Sequence, residues 1–337
     1  MMEPNNRGLV VNTDKSVKSH NTGDLVGMFI NQLDRAPHTI STYKQALKKF
    51  VSYVEKRGVE KIDKLTIRDF RDHMKNKEKK TALTVNTYIA GVRSFFDFLE
   101  EQGIHKNITK GVRSLKRAKG FLREEVGDEN MHKMFNEWEF KTIQDTRDFA
   151  LLRLLAFGGA RRVEVVRAQI GDIVHRTDSE GVAKRVLLVQ GKGSDTKDEI
   201  IPLDDRTYIP LRNYLTATKR NLNNRDDYLF LSHSDRNPGE GISTRTVSRI
   251  AAKHLTKAGI KNERRCAHSF RHSFATNAFR KGGRLRDVQK ALRHQNINNT
   301  LMYVHDLDAI DNPIFEKINY DPIEKTEKED LVGRLPN

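Results

Sequence analysis

Apolar residues return every three or four positions through the first hundred residues of this chain, the pattern of helices that bury one face. From Asp24 onward, Leu25, Met28, Phe29 and Leu33 fall on one side of a predicted helix. A second helix is predicted from a Ser/Thr cap near Thr39 and carries Tyr43, Leu47, Phe50, Val51 and Val54. Two more are expected over about Thr66 to Met74 and Thr84 to Leu99. The latter is lined by Val85, Tyr88, Ile89, Val92, Phe95, Phe96 and Phe98. Nothing before residue 120 alternates with the two-residue period of a strand. This half reads as a helical bundle of four helices, or five.

The second half opens with a helix from Thr146 to Phe157, apolar on most of its faces and therefore buried. Gly158-Gly159 breaks it, and Arg161 starts the next helical turn ahead of Val163, Val165 and Val166. A β region follows, in which Val186–Val189 and Glu199–Leu203 flank the glycine-rich turn Gly191–Asp195. Helices resume near 206–219, 244–258, 268–281 and 285–293, with a last pair around Tyr303 and from Asn312. The chain is thus expected to be mainly α, with a small antiparallel β-sheet in its second domain. The expected divisions are a flexible segment 1–22, a helical domain 23–112, a basic linker 113–124, a mostly α domain 125–321 and a disordered tail 322–337.

Composition narrows the class of partner. At 337 residues the chain can bury two cores, and 36% hydrophobic against 31% charged residues suits a polar surface. A formal charge of +16 draws a protein toward a polyanion, of which DNA is the most abundant. Between His105 and Arg123 no acidic residue occurs, yet Lys106, Lys110, Arg113, Lys116, Arg117, Lys119 and Arg123 do. Such a run is either a solvated linker or a contact with phosphates. The one cysteine, Cys266, excludes an internal disulfide framework and cysteine-based zinc sites, and fits a reducing cytosol. No apolar run approaches the roughly 20 residues that span a bilayer, and the opening MMEPNNRGLVVNTDK lacks a secretory pattern, so a cytoplasmic, nucleoid-associated location without membrane contact is expected.

A set of phosphate-handling side chains carries the chemistry. They are Arg161 in GGARRVE, Lys192 in QGKGSD, His268 and Arg271 in AHSFRH, His294 in LRHQN and Tyr303 in TLMYVH. Cleaving a phosphodiester without a metal needs fixed positive charge where the phosphorane gathers negative charge. Arginine provides it as a planar fork that stays protonated. Glu164, three residues after Arg161, lies on the same helical face and would orient that guanidinium. Lys192, between two glycines, could bring a proton to a leaving 5′ oxygen. His268 and His272 stand four apart, but the HExxH glutamate is absent and an arginine lies between them, so a metal pair is discounted. His272 reads as a structural residue or a support behind the site. A tyrosine hydroxyl is mostly neutral at pH 7, so attack by Tyr303 needs a base and a cationic field.

The Arg-x-x-Glu of Arg161 and Glu164, the His-x-x-Arg of His268 and Arg271, and the nine-residue step from His294 to Tyr303 together resemble the tyrosine recombinase (lambda integrase) family. The resemblance covers roughly residues 24–320, including the Thr39-x3-Tyr43 start and the Asn86-Thr-Tyr-x4-Arg93-x2-Phe96 helix. It implies a helical core-binding domain ahead of the integrase catalytic fold, in the simple two-domain style of Cre or Xer. It implies that Arg161, Arg271, His268 and His294 hold the scissile phosphate, that Lys192 acts as general acid and that Tyr303 is the nucleophile. A 3′-phosphotyrosyl intermediate, exchange through a Holliday junction, and no need for ATP or a metal cofactor follow from the same likeness. So do an inverted-repeat site in double-stranded DNA, a tetramer on two such sites (monomer or dimer when free), and a C-terminal helix that docks on a neighbouring protomer or on its own domain. Arg93 joins the basic stretch as an expected DNA contact. Two departures stand out: Arg293 replaces the glycine of the usual Leu-Gly-His triplet, where it could add a backbone contact, and Gly158 replaces a common threonine, with little effect expected. A type IB topoisomerase, or a non-catalytic DNA-binding protein on the same fold, are the competing readings.

Overall fold

The structure, a computed structural model, describes residues 22–59, 62–116, 124–191 and 194–304. The expected flexible N-terminal segment, Lys192, Arg117, Lys119, Arg123, the helix from Asn312 and the tail after 322 lie essentially outside those residues. The chain divides between Lys119 and Gly120 into two units.

The first unit consists of α1 (Thr22–Gln32), α2 (Pro37–Lys56), α3 (Lys64–Asn76) and α4 (Ala82–Glu101). Leu25 and Phe29 of α1 are buried as their spacing demands, whereas Met28 is 39% exposed and sits at the rim of the apolar face. The start of α2 differs from the expected hydroxyl cap at Thr39. Pro37 occupies the first turn after Ala36, where its fixed φ suits the helix and its missing N–H is not needed. α3 is closed by a reciprocal cap: the Thr66 N–H donates to Asp63 at 2.8 Å, and the Asp63 N–H donates to Thr66 Oγ1 at 3.2 Å. The core is a cluster of phenylalanines. Phe50 meets Phe70 edge-on at 5.2 Å and Phe29 meets Phe95 at 5.5 Å, the geometry that ring quadrupoles favour.

The second unit begins with a helix that apolar periodicity did not disclose, α5 (Asp128–Asn136), which buries Met131, Met134 and Phe135. It has nine residues and few apolar ones, too short for its period to stand out. α6 (Ile143–Phe157) is the central helix and buries residues all round, including Arg147 and Asp148. That pair is closed at 2.7 Å, and Asp148 also meets His254 at 3.1 Å, so neither charge is left alone. α7 (Arg162–Arg167) leads into an antiparallel sheet of order β1 (Ile173–Thr177), β2 (Ala183–Val189) and β3 (Glu199–Pro202). β1 is a third strand beyond the two expected. It pairs Val174 with Val186, and β2 in turn pairs Leu187 with Ile201. Then come α8 (Asp205–Ala217), α9 (Thr244–Lys257), α10 (Ala267–Arg280), α11 (Leu285–Ala291) and α12 (Asn298–Val304). α10 packs on α6, and α11 and α12 pack on α10. Among the described residues no helix is long and apolar enough to cross a membrane.

Gly158 has a packing reason that its sequence context hid. A Cβ there would lie 2.8 Å from Ile201 Cγ2 and 2.8 Å from the Leu154 carbonyl oxygen. The departure from threonine is therefore matched to this core, and Gly158→Thr should cost about 1–3 kcal/mol by overpacking. Thermal unfolding of the variant checks this; an unchanged melting temperature would contradict it.

Candidate active site

The second unit brings two arginines to the end of one short helix. Arg161 is the residue before α7, and its backbone N–H donates to Glu164 Oε2 at 2.7 Å. Its Nη1 donates to Glu164 Oε1 at 2.6 Å, and its Nη2 to the Arg293 carbonyl at 2.6 Å. Arg271, on α10 and 1% exposed, donates through Nη1 to the Gly159 carbonyl and through Nη2 to the Leu292 carbonyl. Leu292 and Arg293 are consecutive, so the carbonyls that end α11 hold both guanidiniums side by side. Gly159 can present its carbonyl because its φ is +55°, and a Cβ there would fall 2.8 Å from the Phe274 ring. Burial, then the charges of Arg161 and Arg293, lower the pKa of Arg271 to about 9, so it is still a cation at neutral pH.

The histidines stand around these cations in neutral form. His268, one turn ahead of Arg271, keeps exposed surface, yet crowding by protein and the charges of Arg271, His272, Arg162 and Arg161 hold its pKa down to about 4. His294 is pushed to about 3 by partial burial and by Arg271, Arg161 and Arg293. Its Nδ1 is hydrogen-bonded to Thr300 Oγ1 at 2.9 Å, which fixes the ring.

Tyr303, on α12, is 2% exposed and packs against Ala275, Val288 and Leu292. The His294 ring lies parallel to it, centroids 6.2 Å apart at 5°, and the His272 ring meets it edge-on at 5.1 Å. Its phenol lies close enough to Arg271 to bear on that guanidinium's charge. Arg161, Glu164, His268, Arg271, His272, His294 and Tyr303 therefore share one site, while Lys192 lies outside the described residues. Sequence reasoning missed the depth of Arg293. Its side chain is only 2% exposed and turns inward onto Glu164, so it offers no contact to a DNA backbone. The one signal was an arginine in a glycine position.

Glu164 is the hub, 2% exposed and bonded to two guanidiniums. Burial alone would raise its pKa, but the Arg293 charge, the Arg161 N–H and the Arg161 charge hold it below the usual carboxylate range. The folded pKa is thus lower than the unfolded one, near 4.3, so the stabilisation is complete above that value and fades as pH falls through the folded pKa. Glu164→Gln should lower stability by about 3–5 kcal/mol at pH 7, since two cations lose their partner. The gap to the parent should close below about pH 4. Melting curves across pH test this, and a gap independent of pH would contradict it.

In the first unit, the segment after α4 is held to the bundle. Asn86 exchanges two hydrogen bonds with the Leu115 backbone, at 2.9 and 2.8 Å. Arg93 Nη2 donates to the Val112 carbonyl at 3.1 Å, so this half-buried arginine anchors the segment. Lys110 is paired with Glu100 at 2.6 Å, whereas Lys106, Arg113 and Lys116 are exposed.

Residues 124–309 match the sequence profile of the phage integrase family. The chain belongs to the phage integrase family. Residues 28–103 also match the phage integrase N-terminal SAM-like domain. Among curated relatives, the chain is 34% identical over 178 residues to a tyrosine recombinase of Pseudothermotoga lettingae, covering 53% of this chain and 55% of that protein. It is 30% identical over 274 residues to the tyrosine recombinase XerC of Escherichia coli O127:H6, covering 80% and 86%. The chain spans little more than half the length of several other relatives, such as 56% of XerD from Listeria innocua. Solved structures share the integrase fold. The XerH site-specific recombinase bound to palindromic difH substrate, a post-cleavage complex, aligns with a TM-score of 0.63 at 21% identity over 90% of both chains. The Tn1549 transposon integrase in complex with circular intermediate DNA aligns at 0.64, 16% identity, over 88% of this chain and 98% of that one.

Proposed function

We propose that this protein is a site-specific DNA recombinase that cleaves and rejoins strands through Tyr303. One observation carries the reading: the guanidiniums of Arg161 and Arg271 are pinned to consecutive carbonyls beside Tyr303 and two neutral histidines. In this reading the Tyr303 oxygen attacks the scissile phosphorus and forms a 3′-phosphotyrosyl bond. Its proton passes to His268, which is neutral in the free site and becomes more basic once the phosphate anion offsets the charges of Arg271 and Arg161. The 5′ oxygen leaves and takes a proton from Lys192. A 5′-hydroxyl of a partner strand then attacks the phosphotyrosyl linkage, restoring a phosphodiester and the phenol. Arg161 and Arg271 carry the charge of the phosphorane, with His294 as a further donor to it. Every bond broken is replaced by one of similar energy, so the cycle runs without a nucleotide or metal cofactor.

The assembly proposed with this chemistry is a tetramer on two inverted-repeat sites in double-stranded DNA, exchanging strands through a Holliday junction. The helical domain 23–112, the basic linker 113–124 and the catalytic domain 125–321 would each contact the duplex. Lys106, Arg113 and Lys116 are free to meet phosphates, with Arg117 and Lys119 beside them in sequence. The relatives named XerC and XerD, and the recombinases solved on DNA, support a recombinase over a topoisomerase.

Mapping covalent adducts on the DNA that flanks the gene tests the function directly. The expected result is protein attached to 3′ ends at two positions within an inverted repeat, with free 5′-hydroxyls opposite. Attachment to 5′ ends, no adduct at all, or relaxation of plasmids with no preferred site would overturn the reading.

A further inference from the structure

Arg293 is the residue that neither the motif nor the mechanism above uses. It has a φ of +55°, a left-handed conformation that glycine adopts freely and other residues rarely do. The other described non-glycine residues with positive φ, Lys79 and Lys219, are both exposed and carry no buried charge. Arg293 combines the strained backbone with a buried guanidinium, and burying a charge is costly unless it is fully bonded. Here it is. Nη1 donates to the Ala291 carbonyl at 2.7 Å, and Nη2 to the Gly159 carbonyl and to Glu164 Oε2, both at 2.9 Å. Nε reaches Glu164 Oε1 at 3.4 Å.

Those partners are the ones that hold the other two arginines. Gly159 also accepts from Arg271, Glu164 also accepts from Arg161, and the Arg293 carbonyl itself accepts from Arg161. Each site guanidinium is therefore anchored on Arg293 or on a group that Arg293 grips. A glycine at this turn would relieve the backbone but leave Glu164 two donors short and the Gly159 and Ala291 carbonyls one each.

We propose that Arg293 is a positioning residue for strand cleavage, a third guanidinium that locks Glu164 and the Gly159 carbonyl so that Arg161 and Arg271 face the phosphate in one fixed geometry. With its side chain 2% exposed it does not meet the phosphate itself. The inference rests on the cleavage reading given above, and it deepens that reading by naming what aims the two cations.

Arg293→Gly is the informative variant, because the turn suits glycine and only the guanidinium is lost. Single-turnover cleavage of a nicked DNA site, binding affinity for the same DNA and thermal melting are measured for the parent and for Arg293→Gly, Arg293→Lys and Glu164→Gln with and without Arg293→Gly. The proposal expects cleavage by Arg293→Gly to fall about 10–100-fold with DNA affinity nearly unchanged, the scale seen when a residue behind a functional one is removed. Arg293→Lys, which keeps a charge without the fork, should fall in between, and added guanidinium ion should restore part of the rate to Arg293→Gly. Glu164→Gln should cost much less in the Arg293→Gly background than alone, since the two act as a unit. Parental cleavage rates in Arg293→Gly, or costs that simply add, overturn the proposal. Should Arg293→Gly fail to fold, parental cleavage by a folded Arg293→Lys overturns it in the same way. A parent that forms no adduct at all refutes the cleavage reading instead, so the two failures are told apart.

Discussion

Replacing Tyr303 with phenylalanine is expected to abolish covalent attachment to DNA and to leave binding within about twofold of the parent. The size of the first effect follows from removing the attacking oxygen, since losing a nucleophile costs on the order of 10⁴-fold or more in the chemical step. The smallness of the second follows from packing. Tyr303 is 2% exposed against Ala275, Val288 and Leu292, and phenylalanine fills the same space between the His294 and His272 rings. Loss of one buried hydroxyl changes stability by about 1 kcal/mol. Gel shift on a recombination site and denaturing electrophoresis of the trapped complex separate the two effects. A phenylalanine variant that still forms the adduct would remove Tyr303 from the reaction.

The second large effect is expected at Arg271. Arg271→Ala should slow cleavage by about 10²–10³-fold, the usual consequence of removing one fixed donor from a developing oxyanion. Unlike the tyrosine variant, it should also be much less stable. Arg271 is 1% exposed and ties the Gly159 carbonyl before α7 to the Leu292 carbonyl at the end of α11. Alanine leaves a cavity and two carbonyls short of a donor, a loss of about 2–5 kcal/mol. For a unit of this size that lowers the melting temperature by on the order of 10 °C. Arg271→Lys separates the roles, because one ammonium keeps the charge but cannot span both carbonyls. It should melt closer to the parent and still cleave about 10²-fold more slowly. Parental cleavage by the lysine variant would mean that charge alone suffices and that the two-pronged anchoring is dispensable.

Much of this architecture was legible in the chain, for identifiable reasons. The apolar spacing of α2, α3 and α4 placed those helices because each buries a continuous face several turns long, and α6 was legible as a long run buried all round. α5 escaped because nine residues with three buried side chains give no clear period, and β1 because only Ile173 and Val174 of it leave the solvent. The Pro37 start of α2 escaped because the hydroxyl at Thr39 resembles a cap, whereas the proline two residues upstream sets the first turn. At the site, the spacing of Arg161, Glu164, His268, Arg271, His294 and Tyr303 marked candidates but not their wiring. Long-range contacts decide that wiring. The Arg161 guanidinium meets a carbonyl 132 positions away, and no local pattern encodes such a partner. Arg293 shows the limit well. Judged by its neighbours in sequence it was a stray cation near DNA, and only the closure of α11 on the start of α7 turns it inward to Glu164.

Mass spectrometry of the trapped protein–DNA complex after nuclease digestion tests the account most directly. The account predicts a single modified peptide, with a residual 3′-nucleotide phosphate on the phenolic oxygen of Tyr303 and on no other tyrosine. A nucleotide carried by another residue, or a cleaved strand with no protein attached, would contradict it.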